Sequence, residues 1–322
     1  MLLHDATEVL VDPAFRNDVL AGLAQPQKAV PARWFYDRTG SELFEAITAL
    51  PEYYPTRIET TLLAAHCDDV ARLTGTGRVV VEFGSGSSVK TPHLLRAVAP
   101  AAYVPIDISG DFLRASSAAL AADFPGLPVL PLEGDFTHRL ALPDSIARVP
   151  RLGFFPGSTI GNMIARTAVD LLRTMRDSLE TGAMLLIGMD RVKDPATLVA
   201  AYDDAAGVTA RFNANLLVRI NRELHGTIPV EAFAHEARWN DNYARIEMHL
   251  VAAHDVAFTV EGQSFWMTAG TSIHTENSHK YGPRDARLLL RAGGWSPVAE
   301  WNDAADNFAL ILAEARPARS AP

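Results

Sequence analysis

Short apolar, β-branched runs at Val79–Phe83, Tyr103–Ile106, Val129–Leu132, Leu152–Phe155 and Met184–Gly188 set the pattern of the central chain. Each is of strand length, and stretches of helical character, Ala168–Glu180 among them, separate them. Strands alternating with helices predict a parallel sheet with helices on both faces. Before this region the chain reads as helices and loops interrupted at Pro13, Pro26 and Pro31, with a short amphipathic helix at Ser41–Ile47 that Pro51 stops. Beyond about residue 191 the alternation loosens. Ala200–Ala214 and Asn215–Leu224 predict helices, and Arg245–Ala252, Ala257–Val260 and Ser264–Thr268 predict antiparallel strands. Asp285–Ala292 returns to helix, and Trp295–Trp301 with Phe308–Ala313 predicts a closing strand pair. The expected fold class is α/β: a Rossmann-like domain formed by residues 59–190 and 281–322, and a second, smaller α+β domain formed by 1–58 and 191–280.

The predicted strands end in small and acidic residues. Gly84-Ser85-Gly86 follows the first, Asp107 ends the second, Glu133-Gly134-Asp135 follows the third and Pro156-Gly157-Ser158 the fourth. Open parallel sheets bind ligands at the carboxyl ends of their strands, so these residues are candidates for one site. The glycine loop has three functional readings beside a plain tight turn. Gly84 through Thr91 departs by one residue from the phosphate-binding loop G-x-x-x-x-G-K-[ST]. Val89 stands where the second glycine belongs, and a β-branched residue lacks the backbone freedom used there. Lys90 then suits a helix surface as well as a phosphate. The dinucleotide fingerprint G-x-G-x-x-G fails at the same valine, and Asp107 suits any ribose diol. The third reading, a methyltransferase using S-adenosylmethionine, employs the whole set. Glu82-x-Gly84-x-Gly86 would lie under the methionine part, Asp107 would accept from the ribose hydroxyls, Asp135 would accept from the adenine amino group, and Phe136 would pack on the ring.

Composition narrows the partners. The 322 residues are 48% hydrophobic and 21% charged, an ordinary globular balance. The net charge of −9, with no Lys/Arg cluster, argues against a nucleic-acid or anionic-membrane partner. Cys67 is the one cysteine, which rules out an intrachain disulfide and suits a reducing compartment. The first residues carry no signal-peptide pattern, and no apolar run is long enough to span a bilayer. A cytoplasmic monomer is expected. His235-Glu236 opens like the zinc motif H-E-x-x-H, but Trp239 stands where the second histidine belongs, and no metal is expected.

Longer strings carry a specific resemblance. They are Trp34-Phe35-Tyr36-Asp37, Leu50-Pro51-Glu52-Tyr53-Tyr54-Pro55-Thr56-Arg57, Gly157-Ser158-Thr159-Ile160-Gly161-Asn162, Ala201-Tyr202-Asp203-Asp204-Ala205-Ala206-Gly207, Asn221-Arg222-Glu223-Leu224 and Thr275-Glu276-Asn277-Ser278-His279-Lys280. With these the chain resembles the histidine Nα-methyltransferases of ergothioneine biosynthesis, which convert L-histidine to its trimethylammonium betaine, hercynine. The resemblance runs from about Arg33 to the C-terminal strand. It implies a class I methyltransferase sheet, a substrate domain and S-adenosyl-L-methionine as cofactor. It also implies the site. Tyr53 corresponds to a residue lining the imidazole pocket and Phe212 to a wall of it. Asn162 and Tyr202 correspond to the catalytic pair that holds the carboxylate and amine region. Glu276 and Ser278 correspond to the pair that hydrogen-bonds the imidazole. Tyr36, Gly84, Ser85, Gly86, Lys90, Asp107, Asp135, Phe136 and Ser158 fall on cofactor positions.

The chain is also similar to fungal N-methyltransferases of tryptophan-type amino acids. The Glu276/Ser278 pair favours histidine, because an imidazole offers two ring nitrogens and an indole one. A non-catalytic nucleoside-binding module is a third reading, opposed by the presence of both cofactor and substrate motifs. Methyl transfer to an amine is a direct displacement, so alignment supplies most of the catalysis, up to ~7–11 kcal/mol in aligned intramolecular reactions. The amine must be neutral, which partial desolvation favours. Tyr202 or a water would take the proton. Without the motif matches, Asn162 reads as a cap on the next helix, Tyr202 as a half-buried helix tyrosine and Glu276 as a solvated loop residue.

Overall fold

The computed structural model describes residues 12–87, 89–180 and 182–315. In chain order its helices are α1 (Pro13–Leu23), α2 (Arg38–Thr48), α3 (Tyr54–Thr74), α4 (Thr91–Val98), α5 (Gly110–Asp123), α6 (Ala165–Leu179), α7 (Pro195–Tyr202), α8 (Val208–Glu223) and α9 (Pro283–Ala292). Its strands are β1 (Lys28–Ala29), β2 (Val79–Phe83), β3 (Ala102–Asp107), β4 (Leu132–Glu133), β5 (Arg151–Phe155), β6 (Met184–Asp190) and β7 (Phe233–Asn240). There follow β8 (Arg245–Ala252), β9 (Val256–Val260), β10 (Gln263–Met267), β11 (Ser272–His279), β12 (Trp295–Asn302) and β13 (Phe308–Ala315).

Seven strands form one sheet in the order β12-β13-β6-β5-β2-β3-β4. The five from β6 to β4 run parallel, and β13 and β12 add antiparallel to the β6 edge. Every residue of β2, β5 and β6 is buried, as strands covered on both faces require. Alternation sorts their side chains. Val79, Val81 and Phe83 join Leu171, Leu172 and Met175 of α6 and Leu289 and Leu290 of α9 in one cluster. Val80 joins Leu62, Leu63 and Val70 of α3 and Leu94 and Leu95 of α4 in another. The order reverses between β2 and β5, and a crevice outside the strand ends at such a switch point is where open α/β sheets bind ligands.

Contacts divide the chain into two units. The first comprises Met1–Ile47, Tyr202–Arg238 and Glu247–Glu276; the second comprises Thr48–Ala201, Trp239–Ile246 and Asn277–Pro322. Helix α3 is continuous through residue 58, with Pro55 in its first turn, and lies wholly in the second unit. Four strands pair in the order β1-β11-β8-β7, and β9 and β10 form a separate hairpin. Among the described residues no helix is long and apolar enough to cross a membrane.

Three local expectations change. Of Val129–Leu132, Val129 makes an isolated bridge to Tyr103 and only Leu132 belongs to a strand, because Pro131 has no N–H with which to continue the ladder. The helix expected over 200–214 breaks after Tyr202. The Asp204 carboxylate accepts from Val208 N at 2.9 Å and Thr209 N at 2.7 Å, and Gly207 turns the chain at φ 66° into α8. Helix α8 then runs through the expected boundary at 214/215. Strands β7 and β11 were not expected at all; β11, SIHTENSH, offers no apolar alternation to read.

Candidate active site

At the carboxyl end of β2 the chain turns through Gly84 (φ 71°) and Gly86 (φ 50°), values that favour glycine. Gly84 N and Ser85 N donate to Ile106 O at 2.9 and 3.1 Å. The Asp107 carboxylate, at the end of β3, accepts from Gly86 N on one oxygen and from Ser109 N on the other, both at 3.0 Å. It therefore joins the glycine loop to the start of α5, and each of its oxygens has a second acceptor position. A Cβ on Gly84 would lie 3.4 Å from the Phe136 ring. That ring stands edge-on to Phe83 and Phe155, with centroids at 6.3 and 5.8 Å. Gly84, Gly86, Asp107 and Phe136 are thus brought together. Asp135 closes a turn, its Oδ1 accepting from Thr137 N at 2.9 Å and Thr137 Oγ1 at 2.6 Å.

Beneath the loop lies a buried polar layer. Glu82, 1% exposed, accepts from the hydroxyls of Thr91 and Tyr103. Burial pushes its pKa up to about 7, opposed by those hydrogen bonds and by Lys90. The Lys90 ammonium pairs with Glu59, a fully buried residue of α3 whose carboxylate also accepts from Gly157 N at 2.9–3.0 Å. A Cβ on Gly188 would run into that carboxylate, so the glycine on β6 makes room for it. Lys90, expected among the cofactor residues, is engaged in tying the loop after β2 to α3 and to the loop after β5. Glu59 was not foreseen, since one acidic residue in a helix reads as surface.

Ser158 follows β5 at φ 56° and its Oγ accepts from Asp190 N at 2.9 Å. The short 3-10 turn Thr159–Asn162 comes next. A Cβ on Gly161 would come 2.8 Å from His279 O, and His279 Nδ1 donates to Gly161 O at 2.8 Å. The segments carrying Asn162 and Ser278 therefore abut. Asn162 is half-buried and does not cap α6, whose N-cap is Ile164. Tyr53 is buried at the N-cap of α3, and Arg57 of the same motif holds its loop by donating to Leu50 O and Pro51 O, both at 2.7 Å.

Ser278 is buried, and Lys280 Nζ donates to its Oγ at 2.8 Å. Lys280 also pairs with Asp190 at 2.8 Å. The Asp190 carboxylate further accepts from Tyr54 OH at 2.7 Å and from Lys193. Burial alone would raise the Asp190 pKa, but the two ammonium groups hold it below the usual carboxylate range. Burial lowers Lys193 to about 8 against the pull of Asp190. Tyr54 and Lys280 lie inside motifs read from the sequence; their meeting at Asp190 was not read.

In the first unit, Phe212 of α8 is buried in an aromatic group with Phe35, Tyr36 and Phe44 at centroid distances of 4.5, 5.9 and 6.0 Å. Tyr202 ends α7, and its carbonyl accepts from His235 Nε2 at 2.8 Å. Asn213 donates to His235 Nδ1 at 2.8 Å and accepts from Thr275 Oγ1 at 2.7 Å, which ties α8 to β11 beside Glu276. Glu276 is a half-buried strand residue rather than part of a loop, and its carbonyl accepts from His274 Nε2 at 2.9 Å. The ligand atoms of Glu247, His249 and His274 lie within 4.8 Å of one another. The two imidazoles stack at an interplanar angle of 16°, so their lone pairs lie in nearly parallel planes and do not converge on one point. Burial lowers His249 to about 4 and keeps it neutral.

A parallel sheet extended by an antiparallel hairpin, with a glycine loop at its switch point and an acidic residue ending the next strand, is the arrangement of the S-adenosylmethionine-dependent methyltransferases, the class to which this chain belongs. The solved S-adenosylmethionine-dependent methyltransferase of Clostridium acetobutylicum shares this fold at TM-score 0.52 and 9% identity, over 86% of this chain and 99% of that one. Residues 15–315 match the family of histidine-specific, SAM-dependent methyltransferases. The histidine N-alpha-methyltransferase of Mycolicibacterium smegmatis is 42% identical over 306 residues, 93% of this chain and 94% of that protein. Ergothioneine biosynthesis protein 1 of Neurospora crassa is 27% identical over 299 residues, 90% of this chain and 33% of that protein. The chain belongs to the histidine-specific, S-adenosylmethionine-dependent methyltransferase family.

Proposed function

We propose that this protein methylates the α-amino nitrogen of L-histidine three times, yielding hercynine for ergothioneine biosynthesis. The observation that carries this reading is the glycine loop at the switch point of a chain belonging to this family. Gly84 and Gly86 leave two positions of the loop without side chains, and Asp107 holds its backbone while keeping acceptor capacity for a ribose diol. These residues fit S-adenosylmethionine, which supplies an electrophilic methyl group when bound. Gly84, Ser85, Gly86, Lys90, Asp107, Asp135, Phe136 and Ser158 would hold it, with Tyr36 nearby, and Lys90 and Ser158 also support the loops.

On the substrate side the proposed roles follow the motifs. Glu276 accepts from one imidazole N–H and Ser278 serves the other ring nitrogen. Two positions apart on β11, they face the same side of that strand. Tyr53 and Phe212 line the ring. Asn162 and Tyr202 hold the carboxylate and amine, and the proton that must leave before each transfer passes to water, directly or relayed by the Tyr202 hydroxyl as it gives up its own proton. Partial desolvation of the amine lowers its pKa and supplies the neutral nucleophile. The net charge of −9 and the single cysteine favour a cytoplasmic protein acting on a small amino acid as a monomer.

The test is incubation with labelled S-adenosylmethionine and a panel of free amino acids, followed by product mass. Histidine gaining three methyl groups is the expected outcome. Methylation of tryptophan in preference to histidine, a firm halt at one methyl, or no transfer at all would refute the proposal.

A further inference from the structure

The buried Asp190 carboxylate pairs with two ammonium groups. Lys193 already pairs with Asp190, and Lys280 pairs with it again, although neither lysine is more than 9% exposed. Lys280 also reaches a residue proposed to contact the substrate. Lys280 Nζ lies 2.8 Å from Ser278 Oγ, and an ammonium can only donate. Lys280 is held in place at both ends of the residue. Its backbone N donates to Ala244 O at 2.8 Å, and the next residue, Tyr281, donates its N–H to Asp190 O at 2.9 Å.

We propose that Lys280 is a positioning residue that acts through Ser278, fixing the serine hydroxyl as a hydrogen-bond donor toward the substrate ring. The inference rests on Ser278 contacting the imidazole, as proposed above. An ammonium on one lone pair of Oγ turns the hydroxyl hydrogen to the opposite side. It also polarises the O–H bond and strengthens it as a donor. A neutral imidazole presents one N–H and one bare nitrogen. Glu276 can only accept and reads the first; Ser278, held as a donor, reads the second. An indole has no bare nitrogen, so the donor state imposed by Lys280 discriminates between the rings. A site with its polar groups so committed rejects a ring that leaves them unpaired.

The experiment is a double-mutant cycle of Lys280→Met and Ser278→Ala, read as kcat and KM for histidine, with S-adenosylhomocysteine affinity measured in each variant. Lys280→Met leaves the Asp190–Lys193 pair charge-balanced, so a folded protein is expected. Its kcat/KM for histidine should fall about ten-fold or more, chiefly through KM, as for loss of a hydrogen bond strengthened by charge. Cofactor affinity should stay within about two-fold, and in the Ser278→Ala background the methionine substitution should have almost no further effect. Lys280→Gln keeps a neutral donor and should fall between wild type and Lys280→Met. Carried through the same cycle, it reads the same coupling if the methionine variant does not fold. Additive effects, with Ser278→Ala itself impaired, would overturn this inference alone. Unchanged kcat/KM in Ser278→Ala would overturn the substrate assignment and this inference with it.

Discussion

Replacing Asp107 by alanine removes one side chain with two tasks. Its oxygens order the glycine loop through Gly86 N and the start of α5 through Ser109 N, each at 3.0 Å. Both bonds are only partly buried, so water can take them over, and the fold should survive. The acceptor lost to the ribose diol is charged and is not so easily replaced. One hydrogen bond to a charged group is worth about 1.5–3 kcal/mol, or ~10–150-fold in Kd. Loop disorder adds to that figure and does not subtract from it. Asp107→Asn keeps the shape and one carbonyl acceptor, and should cost less, about 1 kcal/mol, as for a neutral hydrogen bond. Calorimetric titration with S-adenosylhomocysteine measures both variants, with thermal melts as the check on folding. A folded Asp107→Ala protein that binds as tightly as wild type would remove Asp107 from the site. It would also leave the glycine loop without its proposed ligand.

Other outcomes follow from the same site. Glu82 has a pKa raised from 4.5 to about 7, so the folded state holds its proton more tightly than the unfolded chain. Its contribution is complete below about pH 4.5 and is lost as pH rises through about 7, a change of ~3 kcal/mol. Denaturant unfolding at pH 4.5 to 8 should show that component in wild type and not in Glu82→Gln; parallel pH dependences in the two proteins would contradict it. Glu276→Ala should depress histidine kcat/KM by about ten-fold or more while S-adenosylhomocysteine affinity holds, the loss expected of a charged acceptor. If Glu276→Ala keeps the wild-type preference for histidine over tryptophan, the imidazole is held elsewhere.

The apolar runs alone determined most of the sheet. Val79–Phe83 and Met184–Gly188 are buried on both faces, and a strand so buried is apolar at nearly every position, Glu82 being the paired exception, which leaves a local mark in the chain. The glycines and acids after those runs were legible for the same local reason, since a chain leaving a strand beneath a ligand needs glycine at that point. The long motifs marked Tyr53, Asn162, Tyr202, Glu276 and Ser278 as candidates without saying what surrounds them. Where polar residues are buried by pairing, the local signal disappears. Strand β11 reads as a polar loop because the partners of Thr275 and Ser278 come from residues 213 and 280 and from strands beside it. Glu59 reads as surface until Lys90 and Gly157 N meet it from 31 and 98 residues away. Asp190, Lys193, Lys280 and Tyr54 are ordinary surface residue types until the fold gathers them. A hydrophobic pattern is a property of neighbours along the chain and survives in the sequence. The cost of burying a charge is settled by partners distant along it, and only the tertiary structure decides which partners those are.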